Sequence, residues 1–104
     1  MIGYALYARL EAKPEKVEAV AEFLAEALEM ASRESTTPIW FALRLSDTTF
    51  GIFDAFATEA DRTAHLSGPI GQALMARAPQ LFAASPVIEF MEILGLKEQP
   101  QTND

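Results

Sequence analysis

The stretch from Thr49 to Gly68 reads TFGIFDAFATEADRTAHLSG, and it joins an aromatic strand to a helix that carries the only histidine of the chain, His65. Because side chains alternate along a strand, one face is expected to hold Phe50, Ile52, Asp54 and Phe56. Thr58 is followed three residues later by Asp61, a pattern typical of a helix N-terminus. Aromatic rings, a carboxylate and an imidazole are thus expected close together, as in a site for an organic ligand.

Length and composition limit what this stretch can belong to. The chain has 104 residues and is 50% hydrophobic, which predicts one domain over residues 1–97 and a polar tail over 98–104. This apolar share exceeds the needs of one small core, so we expect a cavity, a partner subunit or both. The net charge of −7 argues against nucleic acid and anionic membrane surfaces as partners. With no cysteine and one histidine, no metal site is predicted.

Neither a membrane span nor a targeting signal is predicted from the sequence. No apolar run approaches the roughly 20 residues of a membrane span. The opening residues MIGYALYARLE lack a basic segment followed by a cleavable apolar one, so no signal peptide is predicted. A soluble cytoplasmic protein is the expectation.

Outside the central stretch, apolar periodicity predicts three further strands and a first helix. The strands are expected at Gly3–Glu11, Ile39–Leu45 and Pro86–Leu96. The first helix is expected to begin at Pro14, because proline is favoured at the first helical position. Its predicted core stripe consists of Val17, Val20, Ala21, Leu24, Leu28 and Ala31.

The helical region after the central strand is predicted in two pieces. Ser67-Gly68-Pro69 is expected to interrupt it, and Pro79 is expected to end the second piece near Ala78. In the first piece, the inward-facing residues are predicted to be Ala60, Ala64 and His65. Within the central strand, Gly51 predicts a bulge or a close approach by another group.

The order of these elements, β-α-β-β-α-β, predicts an α+β fold of the ferredoxin-like type, with a four-stranded antiparallel sheet and both helices on one face. Few residues separate Ile39–Leu45 from Thr49–Phe56, which favours an antiparallel hairpin. Apolar side chains occupy both faces of several strands, so the outer face needs a second cover. We therefore predict a homodimer in which two sheets pack face to face.

The strand TFGIFDAF, the helix start TEADRTAHL and the position of His65, nine residues after Phe56, resemble the antibiotic biosynthesis monooxygenase family of dimeric α+β barrels. In element order and length the resemblance extends over Gly3–Leu96. It implies that Asp54, Phe56 and His65 occupy the positions of the family's acidic, aromatic and histidine residues. Enzymes of this family oxidise polycyclic or quinol-like aromatics with dioxygen, without flavin, haem or metal. The resemblance therefore implies an oxidoreductase that needs no cofactor.

Relatives that degrade haem use an asparagine, a tryptophan and a histidine, and this sequence departs from that set. The only asparagine is Asn103, in the tail, and Phe56 takes the tryptophan position. Haem degradation is not expected. A non-catalytic binding or stress-response protein on the same barrel stays an alternative to the monooxygenase, as does a dimer whose apolar surplus serves assembly alone.

A cofactor-free oxygenase needs a general base and a dry, aromatic-lined cavity. His65 is the expected base and Asp54 is expected to orient the imidazole or the substrate. The candidate substrate contacts are Phe50, Ile52, Phe56, Tyr4, Tyr7 and Trp40. Several candidates have a structural alternative: the phenylalanines as core, Trp40 as core or dimer interface, Asp54 bound to backbone, Arg44 or Arg62, and His65 as a surface or capping residue near a helix end. The sequence does not fix which strand face meets the helices.

Overall fold

The computed structural model describes residues 1–98 and arranges them as a four-stranded antiparallel sheet with its helices on one side. The strands are β1 (Tyr4–Glu11), β2 (Ile39–Arg44), β3 (Thr49–Phe56) and β4 (Val87–Glu92). The helices are α1 (Val17–Ala31), α2 (Glu59–Leu66) and α3 (Pro69–Leu81), and a 3-10 turn, Pro14–Lys16, precedes α1. The strand order β2-β3-β1-β4 confirms the predicted α+β ferredoxin-like fold. Residues 99–104, including Asn103 and nearly all of the predicted tail, lie outside the described part.

Strand register determines which side chains face the helices. Asp54 on β3 lies opposite Leu6 on β1 and Trp40 on β2, so these three share one face. That face packs on α1 and α3 to form the main core, which includes Ala8, Leu10, Val20, Phe23, Leu24, Phe50, Ile52, Leu74 and Leu81. The even-numbered residues of β3 therefore face the helix layer, and the odd-numbered ones form the outer face of the sheet.

The core stripe of α1 is rotated from the predicted one. Its buried residues are Val20, Phe23, Leu24, Ala27 and Ala31. Ala21 and Leu28 were predicted to be buried and are exposed. One residue corresponds to about 100° of helix rotation, and alanines and leucines occur on most sides of this helix, so the apolar pattern alone did not define its phase.

The junction between α2 and α3 follows the predicted signals. The Thr58 hydroxyl oxygen accepts a hydrogen bond from the Asp61 backbone N–H at 3.0 Å, which confirms Thr58 as the N-cap of α2. Gly68 precedes the first residue of α3, Pro69, as proline's preference for the first turn predicted. The inward face of α2 matches the prediction only at His65, which is buried, and Arg62 is buried as well. Ala60 and Ala64, predicted to face inward, are exposed.

The ends of α3 and β4 differ most from the prediction. Pro79 lies inside α3, which continues to Leu81. A proline is tolerated in the final turn because it removes a single backbone N–H, and few helical hydrogen bonds follow it. β4 is shorter than Pro86–Leu96. β4 pairs only with β1. This pairing ends where Tyr4, the first residue of β1, lies opposite Glu92.

The close approach predicted at Gly51 occurs on the outer face. A Cβ atom added to Gly51 would lie 2.9 Å from the ring of Tyr7 on β1. Absence of a side chain at Gly51 thus leaves room for the tyrosine ring against β3.

Candidate functional site

A cavity of about 200 Å³ lies between the sheet and the pair α2 and α3. Leu6, Ala8 and Ile52 of the sheet and Ile70, Leu74 and Met75 of α3 are among its apolar lining residues. Its polar side chains are Asp54 and His65. The cavity is therefore an apolar chamber whose polar groups come from β3 and α2.

Three elements meet at the imidazole of His65. Its Nε2 lies 2.9 Å from Oδ2 of Asp54 on β3, and its Nδ1 lies 2.9 Å from Oε1 of Glu34 in the loop after α1. The Thr37 hydroxyl donates to the same Glu34 oxygen at 3.2 Å. His65 and Asp54 are both buried, so solvent screens these contacts little. We call Asp54, His65 and Glu34 the carboxylate–imidazole cluster.

The cluster shifts the pKa of His65. Burial by itself lowers the pKa of the imidazole, but the hydrogen bonds and negative charges of Asp54 and Glu34 outweigh it and raise the pKa above its ordinary value. A protonated ring donates an N–H to each carboxylate. In that state neither ring nitrogen is free to accept a proton.

Asp54 has one carboxylate oxygen in use and one free. Oδ2 accepts from His65, whereas Oδ1 is buried and has no donor among residues 1–98. A buried carboxylate oxygen without a partner costs free energy, because it has lost water and gained nothing. The indole Nε1 of Trp40, which lies opposite Asp54 in the sheet, also has no partner within this part of the chain. Oδ1 is therefore a buried acceptor next to the cavity whose hydrogen-bonding capacity residues 1–98 leave unused.

Of the three side chains on β3 that were expected to wall the cavity, only Ile52 does so. Phe56 is fully buried, and its ring centroid lies 5.3 Å from that of His65, so it supports the imidazole from outside the cavity. Phe50 lies in the main core, with the Arg44 guanidinium 5.0 Å from its ring. Phe50 is therefore a core residue, as the structural alternative had it.

The expected contacts from Tyr4, Tyr7 and Trp40 do not form at this cavity. Tyr4 lies beside the guanidinium of Arg62, 5.3 Å from its ring centroid. Tyr7 is on the outer face of the sheet because its odd position on β1 points away from the helices. Trp40 faces the helices and packs against both core clusters, including Ile70.

Neither arginine considered as a partner for Asp54 is used that way. Arg62 donates to the backbone oxygens of Ala5 at 3.3 Å and Met91 at 3.1 Å. Arg44 donates to backbone oxygens in the turn between β2 and β3. His65 takes the place at Asp54 that an arginine was considered for.

Sequence reasoning missed Glu34 and the cavity wall from α3. Glu34 lies 31 positions before His65, in a polar loop, and no local spacing rule connects the two residues. Ile70 and Leu74 of this wall lie at helical spacing, and such an apolar stripe has the same pattern whether it faces the core or a cavity.

Metal and membrane-spanning sites are not found in the described part of the chain. Within residues 1–98, no group of three or more histidine, cysteine, aspartate or glutamate side chains is placed to hold a metal ion. None of the helices in this range has the length and apolar character needed to cross a membrane.

Solved structures with the same architecture define the class of fold. An antibiotic biosynthesis monooxygenase superposes with a TM-score of 0.77, at 14% identity, over 88% of this chain and 99% of that one. Rv0793 from Mycobacterium tuberculosis superposes with a TM-score of 0.81, at 14% identity, over 92% of this chain and 99% of that one. Likenesses at such identities show the fold, and they confirm the fold implied by the sequence resemblance.

A nearer relative shows the family. NE2512 from Nitrosomonas europaea, a protein of unknown function, is 51% identical over 97% of this chain and 98% of its own, with a TM-score of 0.91. The chain belongs to the same family as NE2512, and this family has the antibiotic biosynthesis monooxygenase fold. No protein-family model and no curated protein sequence matches the chain.

Proposed function

We propose that the chain is a cofactor-independent monooxygenase that oxidises a quinol- or polyketide-like aromatic with dioxygen. The observation that carries the proposal is a mostly apolar cavity whose polar lining is Asp54, with one unpartnered carboxylate oxygen, and His65, whose pKa is raised. The likeness in fold to an antibiotic biosynthesis monooxygenase supports it. Asp54 and His65 are the proposed catalytic pair.

The first step in this proposal is a proton transfer. A ring hydroxyl of the substrate donates to Oδ1 of Asp54 and then passes its proton to that oxygen, leaving a phenolate in the cavity. The positive charge on His65, held on the other oxygen of the same carboxylate at 2.9 Å, favours the new anion electrostatically. Glu34 keeps the imidazole oriented and charged through the second ring nitrogen.

The second step is oxygen transfer, and the substrate supplies all the electrons. The phenolate passes one electron to dioxygen, and the resulting superoxide and substrate radical join through a new carbon–oxygen bond at a ring carbon that carries hydrogen. The peroxide anion recovers the proton from Asp54. The O–O bond then breaks as the ring carbon loses its hydrogen as a proton, one oxygen leaves as water, and the other remains as a carbonyl. A hydroquinone and one molecule of dioxygen would thus give a hydroxyquinone, with one oxygen more and two hydrogens fewer, and one molecule of water.

Oxygen uptake tests this proposal. With a panel of hydroquinones and anthrones, the wild-type protein is expected to consume oxygen faster than the uncatalysed reaction. Asp54→Asn keeps the size of the side chain but removes the base, so the rate should fall about 100-fold or more. Uptake no faster than background across the panel, or an unchanged rate in both Asp54→Asn and His65→Ala, would contradict the proposal.

A second candidate, a non-catalytic protein that binds a small molecule, is favoured by one observation. Both ring nitrogens of His65 are committed to carboxylates, an arrangement that also suits a purely structural role. This candidate predicts saturable binding of aromatics by the wild-type protein without oxygen uptake, and the same panel distinguishes it from the monooxygenase.

We further propose that the protein is a homodimer, a dimeric α+β barrel formed by sheet-to-sheet packing. The outer face of the sheet exposes the large apolar side chains Phe41, Leu43 and Val87, and Phe41 stacks on Phe53 at 6.3 Å between ring centroids. Contiguous apolar surface of this kind is typical of an interface. A second copy of the chain, related by a two-fold axis, would cover this face with the same face of its own sheet.

A further inference from the structure

We infer that the cavity beside the carboxylate–imidazole cluster selects an uncharged, single-ring aromatic that donates a hydroxyl hydrogen to Asp54, and that it rejects anionic and polycyclic aromatics. The inference rests on the proposed function in one respect, because both place the ligand in the same cavity. It narrows the substrate from aromatics in general to simple phenols and hydroquinones.

The volume of the cavity limits the number of rings. Its size is about 200 Å³. An apolar cavity of about 150 Å³ holds benzene, whereas sites for drug-sized ligands span roughly 300–1,000 Å³. One ring with one or two small substituents therefore fills the cavity. Three or four fused rings would extend past Met75, the most exposed of the side chains that line it.

The charges at the polar end of the cavity determine which ligand charge it accepts. Asp54 and Glu34 are two carboxylates, and His65 supplies one positive charge between them, so the carboxylate–imidazole cluster carries a net negative charge. Among the side chains that line the cavity, His65 is the single cationic one, and both of its N–H groups are donated to those carboxylates. A ligand carboxylate buried here would meet like charge without a free donor, which is costly.

The unpartnered Oδ1 of Asp54 determines which functional group the ligand must carry. Oδ1 of Asp54 is a buried acceptor without a donor among residues 1–98, and the apolar wall of Leu6, Ala8 and Ile52 offers none. A ligand hydroxyl supplies the missing hydrogen. A methyl ether of the same shape leaves the carboxylate oxygen unpaired, and removal of one partner from a hydrogen bond to a charged group is expected to weaken binding about tenfold to a hundredfold.

Calorimetric titration under anaerobic conditions tests the three parts of the inference with four probes. Methylhydroquinone has one ring and donors, 1,4-dimethoxybenzene has one ring and no donor, 2,5-dihydroxybenzoate adds a negative charge, and anthrone has three rings. The wild-type protein is expected to bind methylhydroquinone at least about tenfold more tightly than each of the others. Asp54→Asn should remove most of the preference for methylhydroquinone over the dimethoxy compound.

A matched pair of variants locates the binding. Ala8→Leu adds three carbons to the floor of the cavity and should abolish binding of methylhydroquinone. Ala42→Leu adds the same three carbons on the same sheet face, but in the neighbouring groove against α1, and should leave binding unchanged. Thermal unfolding of both variants shows that they are folded. Equal loss in both folded variants would overturn the location.

Other outcomes separate this inference from the proposed function. Binding of methylhydroquinone with the stated preferences but without oxygen uptake supports the inference and overturns the monooxygenase. Oxidation of anthrone, but not of methylhydroquinone, supports the monooxygenase and overturns the inference. Binding of 2,5-dihydroxybenzoate as tight as that of methylhydroquinone, or no binding by any probe, also overturns it.

Discussion

At the scale of single residues, His65 has a contact with Glu34 that its sequence context did not indicate. The strand parity correctly grouped Asp54 with Ile52, and the short distance along the chain brought His65 close to both. The role of base was assigned to His65 because an ordinary imidazole titrates near neutrality. The contact with Glu34 changes that argument, and it comes from a loop whose path depends on the packing of α1 against the sheet. No local sequence rule could have supplied it.

Glu34→Gln tests the electrostatic account of His65. Loss of one carboxylate should lower the pKa of the imidazole, because one of the two charges and charge-assisted bonds that raise it is removed. An NMR titration measures this directly, since the chain has a single histidine. Glu29→Gln, on the exposed surface of α1, is the matched control and should leave the pKa unchanged. Identical titration curves for wild type and Glu34→Gln would contradict the account.

The same cluster makes stability depend on pH. The pKa of His65 is raised in the folded protein, so protonation favours the folded state. This contribution is fully present below the unfolded-state pKa of about 6.5 and is lost as the pH rises through the folded-state pKa. Thermal unfolding midpoints measured from pH 6 to pH 9 should therefore fall with pH more steeply in wild type than in Glu34→Gln. Equal slopes in wild type and Glu34→Gln would show that His65 does not cause this pH dependence.

At the scale of elements, the breaks in the helices were easier to predict than their phase. Ser67-Gly68-Pro69 divides α2 from α3 as expected, because these residue types act through the local backbone. The phase of α1 was misread because Ala21 and Leu28 have the same apolar character as the residues that are buried. Local chemistry thus predicts where an element ends, whereas burial depends on what the element packs against.

Gly71 at the start of α3 provides a test at this scale. A Cβ atom added there would overlap the backbone oxygen of Leu66, the last residue of α2, which cannot move without separating the two helices. Gly71→Ala should therefore destabilise the protein by about 1–3 kcal/mol. Urea unfolding measures the change, with Gly95→Ala as the control, since Gly95 has open space around its Cβ position. A cost no larger than that of Gly95→Ala would show that α2 and α3 are not held this closely.

At the scale of the whole molecule, element order and strand alternation were sufficient to predict the fold. The antiparallel sheet β2-β3-β1-β4 with its helices on one side follows from the β-α-β-β-α-β order and short connections. The cavity could not be predicted in the same way, because the same apolar residues, such as Ile52 and Leu74, line both the core and the cavity. The dimer stays a prediction that rests on the apolar outer face.

Phe41→Glu tests the dimer. Phe41 is 54% exposed on the outer face, and a charge there should prevent two sheets from packing, so light scattering is expected to report a dimer for wild type and a monomer for the variant. Leu28→Glu is the matched control, since Leu28 is 53% exposed on the helix side and should leave the dimer intact. A monomeric wild type at micromolar concentration would contradict the proposed interface.

The most direct test of the central claim, that Asp54 receives a ligand hydroxyl while His65 stays protonated behind it, is a nitrogen-15 NMR spectrum of the His65 ring recorded during an anaerobic titration with methylhydroquinone. At about pH 6.5, where an ordinary histidine is half protonated, we predict that both ring nitrogens are mostly protonated before and after ligand is added. We also predict a saturable change in the Nε2 signal that is absent in Asp54→Asn. A mostly neutral ring at this pH, or the same ligand-induced change in Asp54→Asn, would contradict the account.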